Sequence, residues 1–508
     1  MTVVKKYWID LCLVLLCFVS CRPLSPVSIQ KVVADSGNEK ELHKAIAYFR
    51  KEEDQRKLKA LYFLIENMPY QRHQEGESVE DYNFLFGILC ETPDSRKEWL
   101  EVIWDSIATV HHRVGLSNFQ EVEDIHTLKA DFLIQHIESA FQAWNQPWSK
   151  ELNFLEFCQY ILPYKLLEET PEAWMGQVAK DYATMTIPSG DVYDACLEVN
   201  KKLKKEFKIR TLPTVGDVTY SQLDRIRSGK CDHATQYTTY VMRTFGIPMA
   251  MDYTYWGNLN GGHSWNALIY HGKPIPFVGS ESDPGKTKID QARQRKRAKV
   301  FRHTYAAQRN ELRYLASEDE SIPPVLNDYR IQDVTKDYIP VQDVRIQLDT
   351  AIRKSLVSDY LYLSIFNRQE WMPIYWGKST AGHVVFPNMG RSVLYLPVAY
   401  RYGSIEPVAS PVLVHQDGKI ETITAHPSSK ENIVLKRKSP EGPSIIAGNE
   451  YELCYWDNAW KSLGKQTATT DSLMYDNVPE HALLWVMSDD KSTSERPFLY
   501  RNGGQEWW

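Results

Sequence analysis

Residues 227–283 read RSGKCDHATQYTTYVMRTFGIPMAMDYTYWGNLNGGHSWNALIYHGKPIPFVGSESD, and this stretch decides the fold of the central part of the chain. Ser228 and Gly229 form a turn signal before Cys231. Apolar residues then recur at helical spacing, namely Ala234, Tyr237, Val241, Met242 and Phe245. The pattern predicts a helix that begins at Cys231. Gly246 and Pro248 end it, because glycine accepts the left-handed conformation after a helix and proline cannot continue the turn.

Strand-like runs follow this helix, first Met249 to Trp256 and then Ser264 to Tyr270. The glycine-rich segment 257–262 between them predicts a hairpin loop, which puts His263 at the start of the second strand. A further strand, Pro274 to Val278, follows a Gly-Lys turn, and we expect it to pair beside the His263 strand.

A cysteine at a helix N-terminus is well placed to act as a nucleophile. Unpaired N–H groups and the positive end of the helix dipole favour thiolate over thiol, and Lys230 adds a positive charge beside Cys231. We therefore expect a low pKa for the Cys231 thiol and a buried, inert thiol at Cys158. His263 is the candidate base, and a third group must orient its imidazole.

Arg227, Gly229, Cys231, His263 and Trp265 together resemble the transglutaminase-like superfamily. The core of that family has an Arg-x-Gly-x motif before a helix-capping cysteine, then His-x-Trp on a strand, then an acid. Cysteine and histidine are 263 − 231 = 32 residues apart here, whereas papain-type enzymes place their histidine well over a hundred residues downstream. The resemblance covers about a quarter of the chain. It implies that the cysteine attacks an amide carbonyl, the histidine protonates the departing amine, and water or an amine resolves the acyl-enzyme.

One position departs from the family pattern. Where the family usually places an aspartate, this chain has Val278, which cannot orient a histidine. Glu281 and Asp283 lie just beyond, and either would serve if the strand carries a bulge or a shifted register. We favour Glu281, because Asp283 is followed by Pro-Gly and is typical of a turn.

Two further site assignments concern oxyanion donors and metal. Tyr220 or Gln222 is a candidate oxyanion donor, together with the backbone N–H of Cys231. Zinc is the alternative use for a set of four side chains, Cys231, His233, His263 and His271. Cys-x-His is an unusual ligand spacing, however, and no second close ligand pair appears in the sequence. Neither a metal nor another cofactor is predicted.

The first residues form a targeting segment, with Lys5 and Lys6 before an apolar run, Leu11 to Val19, that is too short to span a bilayer. Ser20 directly before Cys21 resembles the bacterial lipoprotein box, which implies that Cys21 is lipidated. Arg22 rather than aspartate follows the cysteine, which implies sorting to the outer membrane. We therefore predict a lipid-anchored protein of the bacterial cell envelope, with the membrane face left open.

The composition of the chain is ordinary for a soluble globular protein. It has 508 residues, a net charge of −6 and 43% hydrophobic residues, so no nucleic-acid partner is predicted. The basic run from Lys286 to Arg302 is more often typical of surface in a net-acidic chain, and a contact with lipid headgroups is the alternative. After Cys21 come five widely scattered cysteines, which form no disulfide framework: Cys90, Cys158, Cys196, Cys231 and Cys454.

The periodicity of the chain predicts an α+β multidomain protein. Helical patterns begin near Asn38, and Asn38-Glu41 and Asn153-Glu156 read as capping boxes. After about Asp328, short alternating runs bounded by turns predict two all-β, sandwich-like domains. The predicted parts are a lipoprotein signal peptide at 1–21, a tether at 22–37 that is extended from Arg22 to Ser28, an all-α domain at 38–170, a papain-like or transglutaminase-like α+β core at 171–327, a β-sandwich domain at 328–436 and a second β domain at 437–508.

The sequence thus predicts an exported, lipid-anchored enzyme with a cysteine nucleophile. Its substrates would be peptide, protein or cell-wall-type amides, cleaved by hydrolysis or transferred to an amine. The alternative is a catalytically degenerate binding or scaffold lipoprotein, which the valine in place of the acid allows. The β domains carry aromatic residues for a glycan or peptide platform, although core packing is the commoner use: Trp456, Trp460, Trp507 and Trp508.

Overall fold

The computed structural model describes residues 26–91, 120–188, 190–210, 217–286, 295–440, 444–488 and 495–508. Over these residues the chain is a mixed α+β structure, with helices in the N-terminal half and antiparallel strands in the C-terminal half. The predicted fold class is therefore confirmed. The predicted signal peptide and Cys21 lie outside the described residues.

Helices build the N-terminal half around a single hydrophobic core. The longer ones run over Pro26–Asp35, Glu39–Phe49, Gln55–Asn67, Glu77–Glu91, Ala130–Trp144, Phe154–Tyr160, Trp174–Asp181, Val192–Glu206, Tyr220–Ile226 and Cys231–Thr244. Short ones follow at Asp124–Thr127, Leu312–Leu315 and Thr350–Ser355. Buried residues such as Phe49 and Ile137 belong to the same cluster as Val241 of the Cys231 helix. The core is thus continuous across residue 170, and the predicted division into domains stays a prediction.

Two local predictions in the helical region fare differently. The capping box of Asn153 and Glu156 is confirmed. The box predicted at Asn38 is wrong, because the Asn38 side chain forms no cap hydrogen bond and instead donates to the carbonyls of Ile125 (3.0 Å) and Leu128 (2.9 Å). Hydrogen bonds to these distant carbonyls thus take the place of a cap on the helix that follows Asn38.

The predicted tether also differs from the structure. A helix occupies Pro26–Asp35, whereas the sequence predicts extended chain from Arg22 to Ser28. Ile29 and Val33 are buried in the helical core. Burial of these two apolar side chains stabilises the helix, although the prolines of the segment favour extended chain in the sequence pattern.

The central sheet has five antiparallel strands in the order β7-β6-β5-β8-β9. The strands of this half of the chain are β1 (Arg72–Glu75), β2 (Gln120–Glu123), β3 (Lys208–Ile209), β4 (Ser228–Gly229), β5 (Met249–Tyr255), β6 (Gly262–Tyr270), β7 (Lys273–Phe277), β8 (Phe301–His303) and β9 (Ile331–Asp333). The helix that begins at Cys231 and the pairing of β5, β6 and β7 are confirmed.

The two faces of β6 have different neighbours. Asn266 donates to the Thr235 carbonyl (2.9 Å) and to the Thr239 hydroxyl (3.0 Å), so its face lies on the Cys231 helix. Because side chains alternate along a strand, His263 and Trp265 belong to the opposite face. Trp265 packs there in an apolar cluster with Val278, Val300 and Val334.

Strands β10–β24 form the C-terminal half. They are β10 (Val341–Gln347), β11 (Tyr360–Asn367), β12 (Glu370–Thr380), β13 (His383–Gly390), β14 (Val393–Arg401), β15 (Ser404–Pro407), β16 (Val412–Val414), β17 (Ile420–Thr422), β18 (His426–Leu435), β19 (Glu450–Trp456), β20 (Trp460–Thr467), β21 (Leu473–Glu480), β22 (Leu483–Ser488), β23 (Pro497–Arg501) and β24 (Gly504–Trp507). An eight-stranded sheet has the order β10-β13-β12-β11-β14-β16-β17, with β15 paired to β14. A five-stranded sheet, β20-β19-β22-β23-β24, and the pair β18-β21 complete this half.

Tryptophans fill the contact between these two β regions. Trp456 is buried, with its ring centroid 5.1 Å from Trp460 and 5.6 Å from Trp371. Part of the predicted aromatic platform is therefore core. Within the described part of the chain, no helix has the length and apolar character needed to cross a membrane.

Candidate active site

Arg227 fixes the loop that leads into the Cys231 helix. It takes the left-handed conformation (φ 47°) that ends the helix Tyr220–Ile226. Its guanidinium pairs with Glu206 (2.9 Å) and with Asp224, and lies over the Tyr237 ring, 5.4 Å from the centroid. The arginine of the motif thus joins three helices and holds the start of the third.

Gly229 is needed because His233 packs directly against it. A Cβ at position 229 would come within 2.5 Å of the Nδ1 atom of His233. The same nitrogen accepts a hydrogen bond from the Lys230 N–H (3.3 Å), one of the otherwise unpaired donors at the helix start. His233 is therefore a helix cap, and its Nδ1 is engaged by backbone.

The Cys231 thiol is half-buried at the first residue of its helix. Burial raises the pKa of the thiol, and hydrogen bonds from the backbone N–H groups of Ser264, Asp232 and Cys231 itself only partly offset this rise. The prediction of a low pKa from the helix N-terminus is therefore wrong, because desolvation outweighs the backbone N–H groups that favour the thiolate. The contact with Ser264 matters for a second reason. Ser264 directly follows His263, so the thiol lies against the part of β6 that carries the candidate base.

His263 lies between two tryptophan rings. Its ring is nearly parallel to that of Trp256, with centroids 6.1 Å apart and 18° between the planes, and Trp265 is also at 6.1 Å. Burial and the positive charges of Arg295 and Arg297 lower the pKa of His263 to about 4. The guanidinium of Arg295 lies over Trp256 (5.4 Å) and that of Arg297 over Trp265 (5.8 Å). The imidazole is consequently neutral at neutral pH.

The two acids predicted as third groups lie beyond the end of β7. Asp283 pairs with Lys204 (2.5 Å), which lowers the pKa of this carboxyl, and it also accepts from the Asn200 amide (3.3 Å). Glu281 is exposed. Within the described part of the chain, neither carboxylate forms a hydrogen bond or ion pair with His263. Their catalytic role stays a prediction that these contacts do not support.

The backbone after β7 explains why these acids are carried away. The Gly279 N–H donates to Asn266 Oδ1 (3.0 Å), and the Ser280 N–H donates to Asn200 Oδ1 (3.1 Å). A Cβ at position 279 would lie 2.1 Å from the Thr238 hydroxyl oxygen. The chain therefore turns toward the helices at Gly279 and does not continue as a strand beside His263.

Trp265 has an apolar neighbour on one side and a charged one on the other. Val278, one residue past the paired part of β7, packs against it, whereas Asp252 of β5 is its partner in the β5–β6 register. Asp252 is fully buried and forms a bidentate pair with Arg302, at 2.7 and 2.8 Å. The Tyr338 hydroxyl also donates to this carboxylate. A buried acid is therefore paired with Trp265 across the sheet, on what we call the Trp265 rung. Its carboxylate is already bound by Arg302 and Tyr338.

Tyr220 and Gln222, the predicted oxyanion donors, lie in the helix Tyr220–Ile226. The buried Tyr220 hydroxyl donates to Asp181 (3.1 Å). Gln222 completes a capping box with Thr219, and its amide donates to Asn83 (2.7 Å). These contacts give both side chains structural roles, and the oxyanion role stays a prediction.

The groups that surround His263 carry no local sequence signal. Arg295 and Arg297 belong to a basic run that is typical of surface, and Trp256 is the last residue of a strand-like run. An isolated bridge between Trp256 and Arg297 brings the two segments together. No local pattern marks such a bridge, which joins residues on either side of β6 and β7.

The chain shows little similarity to known proteins. No family model and no curated protein matches the chain. One similar solved structure is a protein from Cytophaga hutchinsonii named as a putative cysteine protease, with 17% sequence identity and a TM-score of 0.19. The match covers 22% of this chain and 37% of that one, so the chain spans little more than a third of the other protein's length. A likeness of this strength carries no argument about fold or activity.

Proposed function

We propose that this protein is a cysteine-dependent enzyme that hydrolyses or transfers the acyl group of peptide-type amides. One observation carries the proposal. The Cys231 thiol, at the first residue of a helix, lies beside the backbone N–H of Ser264, the residue next to His263, and this N–H favours the thiolate. A thiol, an imidazole and backbone donors are the groups that acyl transfer requires. Because the imidazole belongs to the face of β6 opposite to the Cys231 helix, the proposal requires the proton to pass around the start of this strand.

In the proposed reaction, the imidazole of His263 accepts the thiol proton as the Cys231 sulfur attacks the amide carbonyl carbon. The S–C bond forms, and the carbonyl oxygen takes a negative charge that backbone N–H groups stabilise. The C–N bond then breaks as His263 returns the proton to the departing amine. Water or a second amine attacks the thioester, which releases the acyl product and restores the thiol.

Both reacting groups are neutral at rest in this proposal. The raised pKa of Cys231 and the lowered pKa of His263 oppose a resting thiolate–imidazolium pair. Deprotonation therefore accompanies the attack and does not precede it.

Acyl-enzyme capture tests the proposal directly. Intact-protein mass spectrometry after exposure to a panel of peptide amides and activated thioesters should show one acyl group on Cys231. The adduct should be lost in Cys231→Ser and should form more slowly in His263→Ala. Cys90, another half-buried free thiol, is the internal control. Release of amine with and without an added amine acceptor separates hydrolysis from transfer. No adduct on Cys231 with either class of compound would overturn the proposal.

The pH dependence of thiol alkylation tests the protonation states. Because the pKa of Cys231 is raised, its thiolate fraction grows as pH rises, and its alkylation rate should still be increasing at about pH 9. A rate that levels off below neutral pH would instead reveal a thiolate–imidazolium pair.

A second candidate function is that of a binding or scaffold protein that retains the fold without the reaction. The buried Val278 favours it, because an apolar side chain stands where the related family has its acid. In that case Cys231 and His263 take part in no reaction. A folded protein with an alkylatable Cys231 and no acyl-enzyme is the outcome that supports this candidate.

We also propose attachment to the bacterial envelope through Cys21, which rests on the sequence of residues 1–22 alone. The substrates would then be peptide, protein or cell-wall amides, and a glycan contact through the β regions stays a prediction. Cys21→Ala should abolish acyl incorporation and membrane partitioning. Unchanged acylation of that variant would remove the lipid anchor from the proposal.

A further inference from the structure

The hairpin that leads into His263 is held by residues far away in the chain. Its tip, Gly257–Gly261, contains two of the glycines of the loop, and Gly261 has a positive φ of 77°. Glycine adds no stiffness to a loop, so the position of this tip depends on outside contacts. Such contacts come from the backbone of Lys296, which pairs with Gly257 and Asn258 (2.7 Å each), and from the C-terminal half of the chain.

Asn367, the last residue of β11, forms the densest of these contacts. Its Nδ2 donates to the carbonyls of Gly261 (2.9 Å), Trp256 (3.3 Å) and Leu259 (3.3 Å). Its Oδ1 accepts from the Gly261 N–H (2.8 Å). The side chain is only 3% exposed. The amide of Asn367 thus binds both ends of the loop, at Trp256 and Gly261, and fixes the distance between them.

Two neighbours of Asn367 hold the same loop. The Arg368 N–H donates to Asn260 Oδ1 (2.9 Å). The buried Arg496 donates to the Gly257 carbonyl (3.0 Å) and to Asn260 Oδ1 (3.4 Å), and it also binds the Phe366 carbonyl. The tip therefore lies in a cradle made by the turn after β11 and by the segment before β23.

The cradle acts close to the imidazole. Trp256, whose carbonyl Asn367 binds, carries the ring that lies nearly parallel to His263. Gly261, bound at both its N–H and its carbonyl, is two residues before His263. A shift of the tip would move the tryptophan that covers the imidazole and the start of the strand that carries it.

We propose that Asn367 is a positioning residue for His263, so that the C-terminal β region is part of the acyl-transfer site and not a separate accessory module. This inference rests on the proposed function for its effect on turnover, but its effect on His263 is independent of any activity. Asn367 touches no reacting atom. It acts by fixing the tip of the β5–β6 hairpin.

Asn367→Ala is the primary variant, and Asn67→Ala is the matched control. Asn67 is likewise a buried asparagine whose amide binds backbone, at the Phe63 carbonyl and the Ala307 N–H, but it lies in the helical region. Asn260→Ala removes an acceptor from the half-exposed tip and serves if Asn367→Ala fails to fold.

The first readout is the NMR titration of the His263 imidazole in labelled protein. Asn367→Ala or Asn260→Ala should admit water around the ring and raise the titration midpoint from about 4 toward the ordinary value, while Asn67→Ala leaves it unchanged. The second readout is the rate of acyl-enzyme formation at equal folded fraction. It should fall on the order of 100-fold in Asn367→Ala and stay unchanged in Asn67→Ala.

The two readouts separate the inference from the proposed function. If wild type forms no acyl-enzyme, the proposed function fails, and the titration alone still decides whether Asn367 positions His263. A His263 midpoint in both hairpin variants equal to that of wild type would overturn the positioning role. So would acylation that falls equally in Asn367→Ala and in the control.

Discussion

The two strands beside β6 give Trp265 opposite surroundings. On the β7 side, Val278 belongs to a cluster of apolar side chains, while on the β5 side Asp252 carries a buried charge. The sequence resemblance to the transglutaminase-like superfamily predicts an acid on the first side. Here the only carboxylate described on this rung is on the second side, where Arg302 and Tyr338 neutralise and occupy it. A buried acid on the strand next to a candidate base therefore does not make a catalytic triad, because its partners decide its role.

The largest expected effect is on the charged side. Asp252→Asn leaves the Arg302 guanidinium, which is 5% exposed, without its carboxylate. The free energy of unfolding should fall by about 3–5 kcal/mol, the usual result of breaking a buried pair. Chemical denaturation measures it. Asp131→Asn, which removes the exposed partner of Lys44, is the control and should change stability little. Equal losses in the two variants would contradict a structural role for Asp252.

Truncation on the apolar side should cost less. Val278→Ala removes two buried methyl groups and leaves a small cavity beside Trp265, so the free energy of unfolding should fall by about 2 kcal/mol. Val357→Ala is the matched control, since that valine is 82% exposed and Val278 is 3% exposed. No difference between the two alanine variants would show that Val278 is not packed as described.

A carboxylate on the apolar side should act on His263. Val278→Asp places a negative charge on the face that His263 shares, which stabilises imidazolium and raises the pKa of His263 from about 4. Protonation of the imidazole should then persist to higher pH, as an NMR titration would show. Val278→Asn matches the shape and polarity without the charge. Identical midpoints in these two variants would mean that position 278 does not reach the imidazole.

The smallest expected effect concerns the arginine over Trp256. Arg295 is exposed, and its charge is a smaller cause of the lowered pKa of His263 than burial. Arg295→Gln should raise this pKa modestly, and the difference should shrink at high salt because exposed charges are screened. Arg295→Lys keeps the charge and should titrate like wild type. A change of the same size in both variants would point to lost packing on Trp256 and not to charge.

Local chemistry in the sequence predicted the frame of the site. The turn signal before Cys231, the Gly246-Pro248 stop and the glycine-rich hairpin lie within a few residues of the elements they delimit, and these elements form as expected. The pKa of Cys231 was predicted with the wrong sign, because its main cause, the burial of the thiol, is not visible in the residues next to it in the sequence. Asn38 likewise found partners about 90 residues away instead of its own helix. The same reason explains why no local pattern predicts the roles of Asp252, Arg295 and Asn367. Each of these residues contacts a partner that is distant in the sequence.

The hydrogen bonds from Asn367 and Arg496 to the hairpin also determine when, during synthesis of the chain, the hairpin tip can be fixed in place. Asn367 and Gly261 are 106 residues apart, and Arg496 and Gly257 are 239 residues apart. At ordinary rates of translation, Arg496 is made about 10 to 50 s after Gly257. A nascent chain can form the Cys231 helix and the β5–β6 hairpin long before the residues that fix the hairpin tip exist. The arrangement around His263 is therefore completed only after Arg496 has been made, so that a chain truncated before this residue would lack part of the support of the hairpin tip.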